Sequence, residues 1–259
     1  VDSIGRDKTI EELLEGEALI VEDQINVDKT NNLLKTHLDN LTSMIETNET
    51  EPRFPFASGP HEYQQEAREC WIRAGKTGIF AMATGTGKTI TSLNCVLDEY
   101  RETGIYQVLI LVPSQLLLQQ WGEELKHFNF RNIILVSSKQ HRWRREVETL
   151  HSDLIFNKSR SFAIVATYAS LTNNVESLSV KLPERCIIIA DEAHNIGAPK
   201  VRSVLNNFHQ PMRIGLSATP KREFDEDGND ALERFFSSAH PYTYSFSMEK
   251  AIKEGFLCI

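Results

Sequence analysis

The chain has 259 residues, 41% hydrophobic and 25% charged, enough apolar material for one large buried core and a small appendage. No stretch approaches the ~20 apolar residues of a membrane span, and the start lacks the basic-then-apolar pattern of a secretory signal; no membrane partner and a cytoplasmic location are expected. The net charge of −8 is unevenly placed: residues 1–52 hold 13 acids against four bases, a net of −9, which leaves the rest about +1 and does not exclude a polyanionic partner.

In chain order, Thr9-Ile-Glu-Glu12 reads as a capping box ahead of a short helix with Leu13, Leu14 and Leu19 as its apolar positions. Leu34, Leu38, Leu41 and Ile45 recur at helical spacing and predict a second amphipathic helix. Residues 1–52 are therefore an acidic helical segment and linker, the end of an upstream domain. The apolar stripe packs either on a neighbouring domain or on a protein partner. Prolines 52, 55 and 60 argue against helix and mark a linker, with the boundary to the main domain near residue 53.

Beyond it, Tyr63, Ala67, Cys70, Trp71 and Ala74 mark a helix, and six short apolar runs alternate with longer amphipathic stretches. The runs are 78–83, 107–112, 132–136, 162–166, 186–190 and 213–216, nearly continuous in apolar character. That pattern predicts an α/β fold, a parallel sheet with helices on both faces, preceded by a small helical segment. The cysteines, at positions 70, 95, 186 and 258, have no paired spacing and read as buried free thiols; no metal is assigned to them or to the eight histidines.

The first strand is followed by Thr84-Gly-Thr-Gly-Lys-Thr89 and then by a helix. Gly85 and Gly87 allow a tight turn whose N–H groups, with those of Thr84 and Thr86, point at phosphate oxygens, reinforced by the positive end of the helix. Lys88 would neutralise the β- and γ-phosphates of ATP and the Thr89 hydroxyl would ligate Mg2+. About a hundred residues later the run 186–190 ends in Asp191-Glu-Ala-His194, which puts Asp191 at the carboxyl edge of the sheet, where ligands of open α/β sheets gather.

Asp191-Glu-Ala-His194 resembles the DEAH box of superfamily 2 helicases and translocases, and Met82-Ala-Thr-Gly-Thr-Gly-Lys-Thr89 resembles the phosphate loop of their restriction-type members. Met82 stands where the strict loop pattern has glycine. The resemblance implies a RecA-like P-loop lobe over residues 53–240. It implies that Asp191 holds Mg2+ through water, that Glu192 is the general base for the attacking water, and that His194 belongs to the catalytic set. Gly215-Leu-Ser-Ala-Thr-Pro220 resembles the Ser-Ala-Thr motif, which implies that Ser217 and Thr219 couple nucleotide state to nucleic-acid movement near Glu192 and His194.

Glu62-Tyr-Gln-Gln-Glu-Ala67 resembles the family's adenine-recognition element. Gln64 matches its glutamine, while His61 replaces the usual arginine and weakens adenine selectivity. Leu111-Val-Pro-Ser114 and Val165-Ala-Thr-Tyr168 resemble the strand-end motifs that touch nucleic-acid phosphates, which implies contacts from Ser114 and Thr167. Tyr168 is as well explained by packing at a helix start. Lys139, His141, Arg142, Arg144 and Arg145, with Trp143 among them and Lys158 and Arg160 nearby, form the densest basic cluster, either a phosphate-binding patch or a solvated face.

The resemblance further implies ATP hydrolysis coupled to nucleic acid, DNA rather than RNA, between this lobe and a second RecA-like lobe that supplies arginine fingers. Residues 241–259 resemble the connector towards that lobe, so the chain is expected to be a fragment at both ends and nearly inactive alone. Two other readings stay open: a different P-loop NTPase, and a regulatory interaction module with a degenerate ATPase lobe.

Overall fold

The computed structural model describes residues 34–35, 51–139, 142–156, 160–179 and 182–257. The chain divides into two units, residues 1–51 and 52–259. In the first, Leu34 and Lys35 are helical and exposed. The helix expected over residues 9–19 and the remainder of the Leu34-to-Ile45 stripe lie outside the described residues.

The second unit is an α/β fold around a seven-stranded sheet, counted among the described residues. The strands are β1 (Thr77–Met82), β2 (Gln107–Val112), β3 (Ile133–Val136), β4 (Phe162–Thr167), β5 (Ile187–Asp191), β6 (Arg213–Ser217) and β7 (Tyr244–Phe246), in the spatial order β3-β4-β2-β5-β6-β1-β7. Every pairing is parallel. Strands β1 to β6 fall on the six predicted runs; β7 is additional.

Both faces of the sheet are covered, which is why the strands lack a polar side. In β2, Val108, Ile110 and Val112 enter one core with helices α1 (Glu62–Arg73), α2 (Lys88–Thr103) and α3 (Gln115–His127). Leu109 and Leu111 enter the other with α4 (Trp143–Phe156), α5 (Tyr168–Asn173), α6 (Val175–Ser179), α7 (Pro199–Arg202) and α8 (Glu226–Phe236). A last short helix, α9 (Met248–Lys253), follows β7 and buries Ala251 in the first core.

Helix starts are set by local chemistry. Ser114, in extended conformation, accepts from Leu117 N–H at 3.2 Å and caps α3; Thr167 accepts from Ser170 N–H at 3.1 Å and caps α5. Asp225 caps α8 by accepting from Gly228 N–H at 2.8 Å. Because the strands are parallel, their carboxyl ends share one edge of the sheet. The loop after Met82, Ser114, Thr167, Asp191 and Ser217 therefore all emerge along that edge.

Candidate nucleotide-binding site

Residues 83–87 turn the chain from β1 into α2. Gly85 and Gly87 both take left-handed φ values, 85° and 73°, which glycine adopts without a Cβ penalty. Thr86 is buried and pins the turn twice: its hydroxyl donates to the Ala83 carbonyl at 2.7 Å, and its carbonyl accepts from Tyr63 Oη at 2.9 Å. Thr84 and Gly85 are exposed, whereas Lys88 and Thr89 are half-buried at the first turn of α2. That 16-residue helix has no acid in its first turn, so its positive end faces the loop uncompensated.

The Lys88 ammonium donates to the Met82 carbonyl at 3.2 Å and the Ala83 carbonyl at 3.4 Å. Burial holds its pKa below the ordinary lysine value, and the carboxylates of Glu192 and Asp191 oppose that shift. The two carboxylates thus act on the Lys88 ammonium although they stand about a hundred residues away in the chain. Strand β6 lies between β1 and β5 and brings Ser217 into the gap.

Asp191 is buried, and each carboxylate oxygen has a donor. Oδ2 accepts from Trp121 Nε1 at 2.9 Å and Oδ1 from Glu192 N–H at 3.0 Å; the Asp191 carbonyl accepts from Tyr168 Oη at 2.8 Å. Glu192 adopts φ 46°, in the left-handed region that a non-glycine residue enters only at a cost. His194 Nδ1 lies 3.5 Å from both Glu192 Oε2 and Ser217 Oγ. Ser217 Oγ accepts from Thr219 N–H at 3.1 Å, and the His194 carbonyl accepts from Arg222 Nη1 at 3.0 Å. Ser217 is buried and Thr219 exposed.

Gln64 is buried, not an exposed helix-start residue. Its carbonyl accepts from His61 N–H at 3.0 Å in a capping box, and a Cβ on Gly87 would come within 2.9 Å of its Nε2. Ser114 is exposed at the same sheet edge, and Thr167 is buried with its hydroxyl committed to capping α5. The basic cluster splits. Trp143 is a core residue, Arg144 donates to Asn174 Oδ1 at 2.9 Å, and Arg160 pairs with Asp153. Arg142 and Arg145 line a cavity of about 610 Å3 beside β3; His141 and Lys158 lie outside the described residues.

Cys95 and Cys186 are buried thiols whose pKa burial pushes up, and Cys70 is half-buried; Cys258 is outside the described residues. No group of three or more His, Cys, Asp or Glu that could hold a metal is present among the described residues. A cavity of about 960 Å3 lined by Arg202, Arg213 and Phe235 opens where β6 begins, at the opposite sheet edge, and holds none of the predicted residues.

Sequence reasoning missed three contributors, Trp121, Tyr63 and Arg222, as hydrogen-bond donors to the site, and left Tyr168 between helix-start packing and a nucleic-acid contact, whereas its hydroxyl donates to the Asp191 carbonyl. Of the three, Tyr63 alone stood in a legible pattern, the apolar spacing of the helix it shares with Ala67 and Trp71.

The family model described as "Type III restriction enzyme, res subunit" matches residues 58–222. Of the relatives, the "DNA 3'-5' translocase XPB2" of Sulfurisphaera tokodaii is 30% identical over 190 residues, which is 73% of this chain and 36% of that protein. The "Type I restriction enzyme EcoAI endonuclease subunit" of Escherichia coli is 25% identical over 209 residues, 76% of this chain and 23% of that protein. A nuclease-deletion mutant of the Type ISP restriction-modification enzyme LlaGI, solved with a DNA substrate mimic, has the same fold. Its TM-score is 0.59 at 23% identity, over 76% of this chain and 20% of that one. The chain thus spans about a third or less of the length of these proteins. With the matched residues covering the phosphate loop, the acidic strand end and the Ser-Ala-Thr turn on one sheet edge, the chain belongs to the type III restriction enzyme res-subunit family of superfamily 2, of which it carries the first RecA-like domain.

Proposed function

We propose that this chain is the first ATPase lobe of an ATP-dependent DNA helicase or translocase, a hydrolase whose full-length form moves on nucleic acid. The observation that carries it is geometric: Lys88 of the phosphate loop and the strand-end acids Asp191 and Glu192 meet at one sheet edge across β6, where the two carboxylates act on the Lys88 ammonium. DNA rather than RNA is supported by the similarity to the DNA 3'-5' translocase of Sulfurisphaera tokodaii.

The donors fit Mg2+, a hard cation that takes one or two protein oxygens and otherwise water and substrate phosphates. The Thr89 hydroxyl is half-buried at the start of α2, and the Asp191 carboxylate is held by donors that are both neutral, so its charge is oriented without being cancelled. Mg2+ held by the Thr89 hydroxyl and the Asp191 carboxylate would offset the negative charge of the phosphates.

In this reading the N–H groups of residues 84–89 cradle the phosphates and Lys88 turns from the Met82 and Ala83 carbonyls towards them. Glu192 orients the attacking water and accepts its proton, and His194, between Glu192 and Ser217, passes the state of that carboxylate to the Ser217–Thr219 turn. Gln64 stands beside Gly87 to read adenine with its amide. Ser114 and Thr167 contact one strand at its phosphates, Thr167 after giving up its capping bond. A second lobe of the same protein supplies arginine fingers, so turnover by the 259 residues alone is slow. Residues 1–52 close an upstream domain or meet a protein partner, residues 53–240 form the lobe, and residues 241–259 lead to the second lobe while lending β7 to the first.

The test is thermal. Saturating Mg-ATP should raise the melting temperature of the chain, by about 2.7 kcal/mol of linkage at a hundred times Kd, and Lys88→Ala should remove the rise. An undiminished rise in the variant sinks the assignment.

A further inference from the structure

We propose that Trp121 and Tyr168 are positioning residues that set Asp191 for Mg2+, a role that rests on the reading of Asp191 given above. Both are buried, at 1% and 6% exposure, and both spend their polar atom on Asp191 and on no other described residue. Trp121 Nε1 fixes one carboxylate oxygen at 2.9 Å, and Tyr168 Oη fixes the backbone carbonyl of the same residue at 2.8 Å. The carboxylate and its main chain are thereby held from two helices that approach on opposite faces of the sheet, α3 and α5.

The chemistry of the donors is specific. An indole N–H or a phenol orients an oxygen but adds no charge, whereas lysine or arginine at either place would pair with Asp191 and compete with a cation. A residue that only filled space, phenylalanine for instance, would keep an apolar ring in the core but leave Asp191 one donor short, at Oδ2 in place of Trp121 or at the carbonyl in place of Tyr168. The two helices also begin at the residues proposed to meet the nucleic-acid strand. Ser114 caps α3 two turns before Trp121, and Thr167 caps α5 directly before Tyr168.

The experiment titrates Mg2+ against binding of a fluorescent ATP analogue to the 259-residue chain, for the wild type, Trp121→Phe, Tyr168→Phe and Lys88→Ala. Each aromatic variant is expected to need about 10- to 100-fold more Mg2+ for half-maximal binding, while its affinity for the analogue in excess chelator stays within about twofold of wild type. An unchanged Mg2+ midpoint overturns the proposal. So does an equal loss with and without Mg2+, which marks packing damage alone. If Trp121→Phe does not fold, Tyr168→Phe, which removes a single oxygen, carries the same expectation. Lys88→Ala separates the two levels: if it binds the analogue as wild type does, the reading of the site falls and the present inference with it. If it abolishes binding while both aromatic variants titrate as wild type, the inference alone fails.

Discussion

Gly87 ends the phosphate loop with φ 73°, and a Cβ there would come within 2.9 Å of Gln64 Nε2. Gly87→Ala therefore meets two costs, roughly 1–2 kcal/mol for a left-handed non-glycine residue and a displaced, buried amide. Urea denaturation should report a loss of about 1–3 kcal/mol, and nucleotide-induced stabilisation should shrink with it; full stability in the variant would show that the contact yields freely. The same scale explains what could be read beforehand. Lys88, Thr89 and Asp191 were legible because a glycine turn between strand and helix, and an apolar run ending in a carboxylate, each dictate local geometry whatever packs around them. Trp121 was not, because its bond to Asp191 spans 70 residues and depends on how α3 lies across the sheet, which no local pattern encodes. Gln64 was legible as a candidate, but its burial depends on the approach of the loop from β1.

Helix α8 follows the Ser-Ala-Thr turn and starts at Asp225, whose carboxylate caps Gly228 N–H and pairs with Arg222 Nε at 2.7 Å; Arg222 in turn holds the His194 carbonyl. The Gly228 N–H first, and then the Arg222 guanidinium, hold the Asp225 pKa below the usual carboxylate value. A depressed carboxylate stabilises the fold above its unfolded pKa, and that contribution disappears as pH falls through the lower, folded value. In Asp225→Asn the cap acceptor survives and the titration does not. A series of melting temperatures from neutral to acid pH should thus fall less steeply for the variant than for wild type, and parallel slopes would count against this account. Strands β1 to β6 were legible from β-branched runs buried on both faces. Strand β7 was not: Tyr244-Ser-Phe246 is three residues long, one of them exposed, with Pro241 just before it. The short helices α6 and α7 escaped for a related reason, since a single turn offers too few positions to display a period.

At the scale of the whole molecule, β7 follows residue 240, the proposed end of the lobe, yet joins the sheet of that lobe. Phe246 is fully buried and stacks on Tyr63, 4.3 Å between ring centres, and Tyr63 Oη holds the Thr86 carbonyl of the phosphate loop. The Phe246 carbonyl also accepts from Ala83 N–H at 2.9 Å, where β1 gives way to that loop. Leaving out residues 241–259 would expose the faces that Tyr244 and Phe246 cover. At about 1.5–3 kcal/mol for each buried aromatic the loss is roughly 3–6 kcal/mol, set against a total stability of about 5–15 kcal/mol for a domain. A chain ending at residue 240 should unfold at markedly lower urea than residues 1–259 and should lose nucleotide-induced stabilisation more completely than its lower stability requires. A chain ending at Ser247 retains the strand and the stack and should recover most of both. If residues 1–240 instead bind nucleotide as the full chain does, the sheet edge formed by β7 is dispensable, and the phosphate loop draws its shape from β1 and α2 alone.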